Sequence, residues 1–214
     1  MTCLLKSAVH TYSETIRNIT MSKCFSPSFE RNKQAIYEQL SIYFKNSQNV
    51  LEIGSGTGQH AVFLAPKISN LNCWYTSDMP ENHVSINAWV SESGSEIISK
   101  PIELKIGQDS WPNVEVDAVF TANTTHIMQL EEAQLMMGMI AKNLPKGGVF
   151  CQYGPMMFDG EHTSRSNQEF DESLTIKGFG GIRDIEDLVS WAKGMKLVTK
   201  IPMPANNFML VWVK

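Results

Sequence analysis

The feature that most constrains this chain is the run Glu52-Ile53-Gly54-Ser55-Gly56-Thr57-Gly58, which follows a short apolar segment at 49–53 and precedes a helical pattern at 57–66. Three glycines so close together let the backbone turn sharply and approach a ligand without Cβ collisions. A strand entering such a loop and a helix leaving it is how parallel α/β sheets receive nucleotides. The dinucleotide form needs Gly-x-Gly-x-x-Gly, but Gln59 stands where its last glycine would be. The spacing therefore favours a nucleoside over a pyrophosphate. A glycine-rich turn without a ligand is the plain alternative, although two glycines would suffice for it.

The rest of the chain alternates helical and strand-like patterns, which predicts parallel βαβ units. Helical spacing appears over 29–45, 57–66, 81–90, 126–144 and 183–195, and short apolar runs over 49–53, 71–76, 97–106, 116–122, 149–153, 196–202 and 208–214. Pro101 marks the run at 97–106 as an edge strand. Only Met203-Pro204-Ala205-Asn206-Asn207 joins the last two runs, so they must pair antiparallel. The expected fold class is α/β: a mostly parallel seven-stranded sheet with an antiparallel C-terminal strand and helices on both faces. Residues 154–182 stand apart, with Gly154, Gly160, Gly178, Gly180 and Gly181 and one short helical pattern near 166–174. A long excursion of this kind reads as a lid or substrate loop.

Two acids sit where a nucleoside needs them. Asp78 ends the second strand, twenty residues after Gly58, where an acid accepts from ribose hydroxyls. A helix cap for the segment from Met79 onward competes for the same oxygens. Asp109, in Gly107-Gln108-Asp109-Ser110-Trp111, could accept from an adenine amine with Ser110 or Trp111 beside the ring; a plain Asp turn is the alternative. Asn123 ends the fourth strand, outside the carboxyl ends of the sheet, where ligands of open parallel sheets bind. His126 follows it and is the general-base candidate, because imidazole titrates near neutral pH. A capping or surface histidine reads equally well there, and His60 is read as packing near the loop.

The 18 basic and 22 acidic residues give a net charge of −4, which offers no general attraction for nucleic acid or anionic lipid. Cys3, Cys24, Cys73 and Cys151 form no metal-ligand spacing, so no metal is expected and free thiols in a reducing, cytoplasmic setting are. No apolar run has membrane-spanning length. Residues 1–20 lack the apolar centre of a secretory signal, leaving a short appended tail, with a transit peptide as the alternative.

The acid-x-Gly-x-Gly-x-Gly run resembles the first motif of class I S-adenosylmethionine-dependent methyltransferases. That resemblance implies S-adenosylmethionine as cofactor, held by Glu52, Gly54, Ser55, Gly56, Gly58, Asp78, Met79, Asp109, Ser110 and Asn123, with Asn123 facing the methyl donor. Enzymes of this class that methylate nitrogen carry an Asn or Asp followed by two prolines and an aromatic; here the run is Asn123-Thr124-Thr125-His126. Ser26-Pro27-Ser28-Phe29-Glu30-Arg31-Asn32-Lys33, Phe120-Thr121-Ala122-Asn123-Thr124, Tyr153-Gly154-Pro155, Thr163-Ser164-Arg165-Ser166-Asn167, Gly181-Ile182-Arg183-Asp184 and Pro204-Ala205-Asn206-Asn207 are together similar to the methyltransferase-like protein 26 family, also called domain of unknown function 938. The similarity covers residues 24–214 as one methyltransferase domain and leaves 1–23 as an extension. It implies a Rossmann-like fold, methyl transfer and a small-molecule acceptor. It also draws attention to Arg31 as a partner for the cofactor carboxylate or an anionic substrate. Tyr153 becomes a second candidate for proton transfer, and Asn123, Tyr153, Asn167, Arg183, Asn206 and Asn207 become candidate acceptor contacts. A cofactor-binding scaffold without catalysis is the rival reading.

Overall fold

A computed structural model describes residues 23–214. The expected extension at 1–23, but for Lys23, and Cys3 lie outside the described residues. Among the described residues the first helix, α1 (Pro27–Tyr43), starts where the sequence says it can: Ser26 Oγ accepts from Phe29 N at 3.4 Å and proline occupies the first turn. Phe29, Ile36 and Leu40 recur at helical spacing and are buried against the sheet. A fully buried Ile or Leu contributes about 1.5–3 kcal/mol over an exposed one, so this stripe fixes α1 in place.

The chain continues through β1 (Asn49–Ile53), α2 (Gln59–Leu64), β2 (Cys73–Asp78), α3 (Pro80–Ser93), β3 (Ile102–Glu103), β4 (Ala118–Ala122), α4 (Leu130–Asn143) and β5 (Val149–Gly154). After a further excursion come α6 (Ile185–Trp191), β9 (Lys196–Met203) and β10 (Asn207–Val213). The sheet has seven strands in the order β3-β2-β1-β4-β5-β10-β9. All pairs from β3 to β5 are parallel, and β10 runs antiparallel to both β5 and β9. Strand alternation divides the core in two. Leu51, Val119, Phe150 and Leu210 face α4 and α6, while Val50, Phe120, Cys151 and Val211 face α1 and α2.

Three differences from the sequence reading have local causes. The edge strand expected over 97–106 shrinks to Ile102–Glu103 and one bridge from Ile98 to Trp74, because Pro101 interrupts the ladder. The helix expected from residue 126 begins at Leu130, where Gln129 and Glu132 form a capping box. The excursion is more ordered than its glycines suggest. It holds β6 (Met156–Phe158), β7 (Glu161–His162) and α5 (Arg165–Ile176), with β8 (Arg183–Asp184) completing a second, three-stranded sheet. Cys24, Cys73 and Cys151 are free thiols, and no helix among the described residues is long and apolar enough to cross a membrane.

Candidate functional site

β1 and β4 are neighbours from which the chain departs in opposite directions across the sheet, and that switch point opens a crevice at their carboxyl ends. The loop that closes β1 needs left-handed backbone at Gly54 (φ 75°), Gly56 (φ 56°) and Gly58 (φ 90°). It is tied to β2 because Gly54 N and Ser55 N both donate to Ser77 O at 3.0 Å. A side chain on Gly58 would meet Ile86 Cα of α3 at 2.9 Å, and one on Gly54 would meet Thr124 at 2.6 Å. One on Gly56 would meet nothing within 4 Å. Two glycines therefore serve packing, and Gly56 opens onto the crevice.

The crevice measures about 440 Å³, within the range of small-molecule sites. Its floor is Gly54 and Gly56; Asp78, Met79 and Asn82 form one wall and Leu104, Lys105 and Ile106 continue it. Asn123, Thr124, Ile127, Met128 and Phe179 face them. Met79, Ile127 and Phe179 keep 42, 39 and 39% of their surface exposed, an apolar rim suited to an aromatic ligand. Two larger depressions, of about 710 and 840 Å³, lie at the amino ends of β1 and β4 and along α6 and β9. Neither includes the glycine loop, and the carboxyl ends of parallel strands are where sheet ligands bind.

Asp78 organises the near wall. Its Oδ2 accepts from Gly56 N at 2.6 Å, and its Oδ1 accepts from Met79 N at 2.7 Å and Asn82 Nδ2 at 2.8 Å. The cap position of α3 falls on Met79 rather than Asp78. A carboxylate offers about four lone-pair sites, so Asp78 holds the loop and still retains one acceptor direction for a ligand hydroxyl. Asn123 adopts a left-handed conformation (φ 58°) and donates its backbone N–H to Tyr153 O at 2.9 Å, which turns the chain out of β4 at the crevice.

Other expected contacts are directed elsewhere. Glu52 is 1% exposed, and its Oε2 accepts from Ser55 Oγ at 3.0 Å and Trp74 Nε1 at 2.9 Å. Burial pushes its carboxyl up to about 7, against the pull of those two bonds and with the help of the Asp78 charge. Glu52 and Ser55 thus brace the loop from below and are absent from the crevice lining. Asp109 closes its own turn, accepting from Lys105 N at 2.7 Å; neither it nor Ser110 lines the crevice, and residues 104–106 take that place. The preference of Asp for bonding nearby backbone decides this.

His126 is also absent from the lining. It is 6% exposed, edge-on to Phe170 at 5.3 Å, and lowered to about 4, mainly by burial, with Arg183 adding to the effect and Asp171 opposing it. It is a buried neutral ring under α5 rather than a base facing the crevice. Arg31 is exposed on α1, and Tyr153, 4% exposed, lies in the layer between α1 and the sheet. Asn167 donates to Thr163 Oγ1 at 2.8 Å and Asn206 O at 2.9 Å, tying α5 to the β9–β10 turn. Asn206 donates to Ser166 Oγ at 3.1 Å, and Asn207 donates to Pro204 O and Ala205 O at 3.0 and 3.1 Å. Short amide side chains reach their own turns first, so these three are connectors and none lines the crevice.

Arg183, 7% exposed, clamps the excursion to the β4–α4 connection. Its Nη1 donates to Gly180 O at 2.7 Å and its Nη2 to Met128 O at 2.8 Å. A side chain on Gly180 would stand 1.8 Å from Met128 O, so only glycine passes there. Gly181 N donates to His126 O at 3.0 Å and Gln129 Nε2 to Gly178 O at 2.8 Å. These bonds hold Phe179 at the crevice. Arg183→Met leaves two carbonyls without donors and is expected to lower stability by about 2–4 kcal/mol. Urea unfolding checks this, and a loss below about 0.5 kcal/mol would show the clamp to be dispensable.

Sequence reasoning missed Asn82, Ile127, Met128 and Phe179. Asn82 stands four residues after Asp78, a helical spacing that could have paired them. Phe179 is an aromatic between Gly178 and Gly180, a pattern that marks a ring carried on a loop.

Residues 23–214 match the family model described as Protein of unknown function (DUF938). Among solved structures, an O-methyltransferase family protein from Burkholderia thailandensis superposes with a TM-score of 0.72 at 14% identity, over 87% of this chain and 57% of that one. Human N-acetylserotonin methyltransferase in complex with SAM gives 0.75 at 15% identity, over 92% and 55%. PigF with SAH gives 0.69 at 16% identity, over 80% and 52%. The chain spans little more than half the length of these proteins, and the likeness is one of fold: the seven-stranded, Rossmann-like methyltransferase arrangement.

Proposed function

The chain belongs to the family of unknown function DUF938, and from that membership and the crevice beside its glycine loop we propose that it is an S-adenosylmethionine-dependent methyltransferase acting on a small-molecule acceptor. The observation that carries the reading is Gly56, which lines the crevice with Asp78 and Asn123 and whose missing side chain leaves open space there, in a loop whose other two glycines are closed by Thr124 and Ile86. The sequence runs similar to the methyltransferase-like protein 26 family support it, as does the fold shared with proteins solved with SAM or SAH.

In this reading Gly54 and Gly56 let the backbone lie against the amino-acid and ribose part of the cofactor, and Asp78 accepts from ribose. Met79, Leu104, Ile106 and Phe179 enclose the adenine. The cofactor, once bound, supplies an electrophilic methyl group on a sulfonium. The chain's own contribution is orientation and exclusion of water by the apolar rim, effects worth several kcal/mol without a covalent enzyme intermediate. An acceptor amine could attack unaided and lose its proton afterwards. We place the enzyme in the cytoplasm as one domain over 24–214, with no nucleic-acid or membrane partner, in keeping with its charge of −4.

Asp78→Ala is expected to weaken S-adenosylmethionine binding about thirtyfold, the equivalent of about 2 kcal/mol of charge-assisted hydrogen bonding. Titration calorimetry reads this directly, and an affinity within about threefold of the parent would sink the assignment. The absence of His126 and Tyr153 from the crevice lining favours one rival, a cofactor-binding scaffold. Labelled S-adenosylmethionine incubated with metabolite extract separates the two: the enzyme transfers label, and the scaffold binds without transfer.

A further inference from the structure

Asn82, Ser85, Trp89 and Glu92 follow one another along α3 at spacings of three and four, so one stripe runs from the crevice wall toward the end of that helix. The segment ahead of α1 lies along this stripe. Lys23 Nζ stands 3.6 Å from the centre of the Trp89 ring and 2.6 Å from Glu92 Oε2, and Phe25 meets the same ring edge-on at 5.1 Å. Trp89 Nε1 donates to Cys24 O at 2.8 Å. Phe25 keeps 69% of its surface exposed, so a few polar bonds, rather than deep apolar burial, decide whether the segment stays docked.

Two buried side chains carry this segment to the glycine loop. Ser85 Oγ accepts from Cys24 N at 3.0 Å and donates to Thr57 O at 2.9 Å. Gln59 Oε1 accepts from Ser26 N at 2.7 Å and from Thr57 Oγ1 at 3.1 Å. A hydroxyl has one hydrogen and an amide oxygen two lone pairs, so the Ser85 hydrogen and both Gln59 lone pairs are taken up in joining the two segments. Thr57 stands between Gly56 and Gly58, both in left-handed backbone, and glycine loses more conformational freedom on ordering than any other residue. Fixing Thr57 at its carbonyl and at its hydroxyl settles the loop in advance, and a ligand of the crevice no longer has to order it.

We propose that residues 23–26 are a strap that sets the glycine loop for its ligand, with Ser85 and Gln59 as the positioning residues that transmit its docking to Thr57. The inference rests on the methyltransferase reading for the identity of that ligand. Neither Ser85 nor Gln59 lines the crevice, so the effect passes through the loop backbone. It is also reciprocal: the factor by which the docked strap raises cofactor affinity is the factor by which bound cofactor favours docking.

Calorimetry and backbone hydrogen exchange on the full chain test this. In the parent, saturating S-adenosylhomocysteine is expected to slow exchange of the Cys24 and Ser26 amides about fivefold or more. Trp89→Ala removes the anchor of the strap outside the crevice; it is expected to weaken S-adenosylhomocysteine by the same factor and to abolish the slowing. Ile185→Val, which thins the core at the start of α6, controls for lost stability and keeps the parent affinity. Strap amides that exchange at one rate with and without S-adenosylhomocysteine, or a Trp89→Ala variant that binds it as tightly as the parent, overturn the strap. Should Trp89→Ala fail to fold, Ser85→Ala, which removes a single oxygen, carries the same comparison. A parent that binds no S-adenosylhomocysteine overturns the cofactor reading instead. The strap is then read from the Gly58 and Gln59 amides, which exchange about fivefold faster in Trp89→Ala if the strap sets the loop and at the parent rate if it does not.

Discussion

Gly56→Val is expected to weaken S-adenosylmethionine binding more than about a hundredfold while the protein stays folded, because the space a side chain enters there is the crevice itself. Valine at φ 56° carries backbone strain, since that region brings Cβ toward the following carbonyl. The strain costs about 1–2 kcal/mol and lowers Tm by several degrees. Gly94 supplies the control. It ends α3 at φ 64°, also with nothing within 4 Å, but lies outside the crevice. Gly94→Val therefore shares the strain and leaves the cofactor affinity intact. Gly58→Val fails differently, since its Cβ meets backbone of α3 and the pairing of loop and helix has to open. Melting curves and calorimetry on the three variants separate strain, obstruction and collapse; equal affinities for Gly56→Val and Gly94→Val would show that the crevice holds no cofactor.

The main sheet was legible because its signals are long or unambiguous. Short apolar runs at 49–53 and 116–122, with glycines or turns after them, leave few alternatives to buried parallel strands, and the strands form at Asn49–Ile53 and Ala118–Ala122. The five-residue connection from Met203 to Asn207 could only reverse the chain. The second sheet was not legible, because strands of two or three residues such as Glu161–His162 carry no period. At the candidate site, Gly56, Asp78 and Asn123, singled out by residue type and position at a strand end, line the crevice. Side-chain direction was the missing quantity. Glu52 shares the face of Val50 and meets Trp74 of the next strand, a contact twenty-two positions away in the chain. His126 is one residue past Thr125, yet the excursion that buries it arrives from residues 170 and 181. Such contacts depend on packing between distant segments, which no local pattern records.

Glu52 carries the second large effect. An acid whose native pKa is raised from about 4.5 to about 7 binds its proton more tightly folded than unfolded. Its stabilisation is complete below pH 4.5 and is lost as pH rises through 7, beyond which the loss is constant. For a shift of this size the difference between acidic and alkaline conditions is on the order of 3 kcal/mol. Glu52→Gln keeps an oxygen to accept from Ser55 and Trp74 and a neutral head of the same shape, so it imitates the protonated acid at every pH. The variant is expected to lack this component of the decline between pH 5 and pH 8, and to exceed the parent in stability at pH 8. Urea unfolding of both proteins at the two pH values measures the difference. Parallel behaviour would mean that the buried carboxylate is relieved by a partner other than Ser55 and Trp74. The glycine loop would then rest on a different support, since Ser55 Oγ, held by Glu52, is also the acceptor for Ser77 N at 3.1 Å. Cofactor affinity in Glu52→Gln distinguishes these cases: a loop braced by the neutral group binds as tightly as the parent at pH 5 and retains that affinity at pH 8.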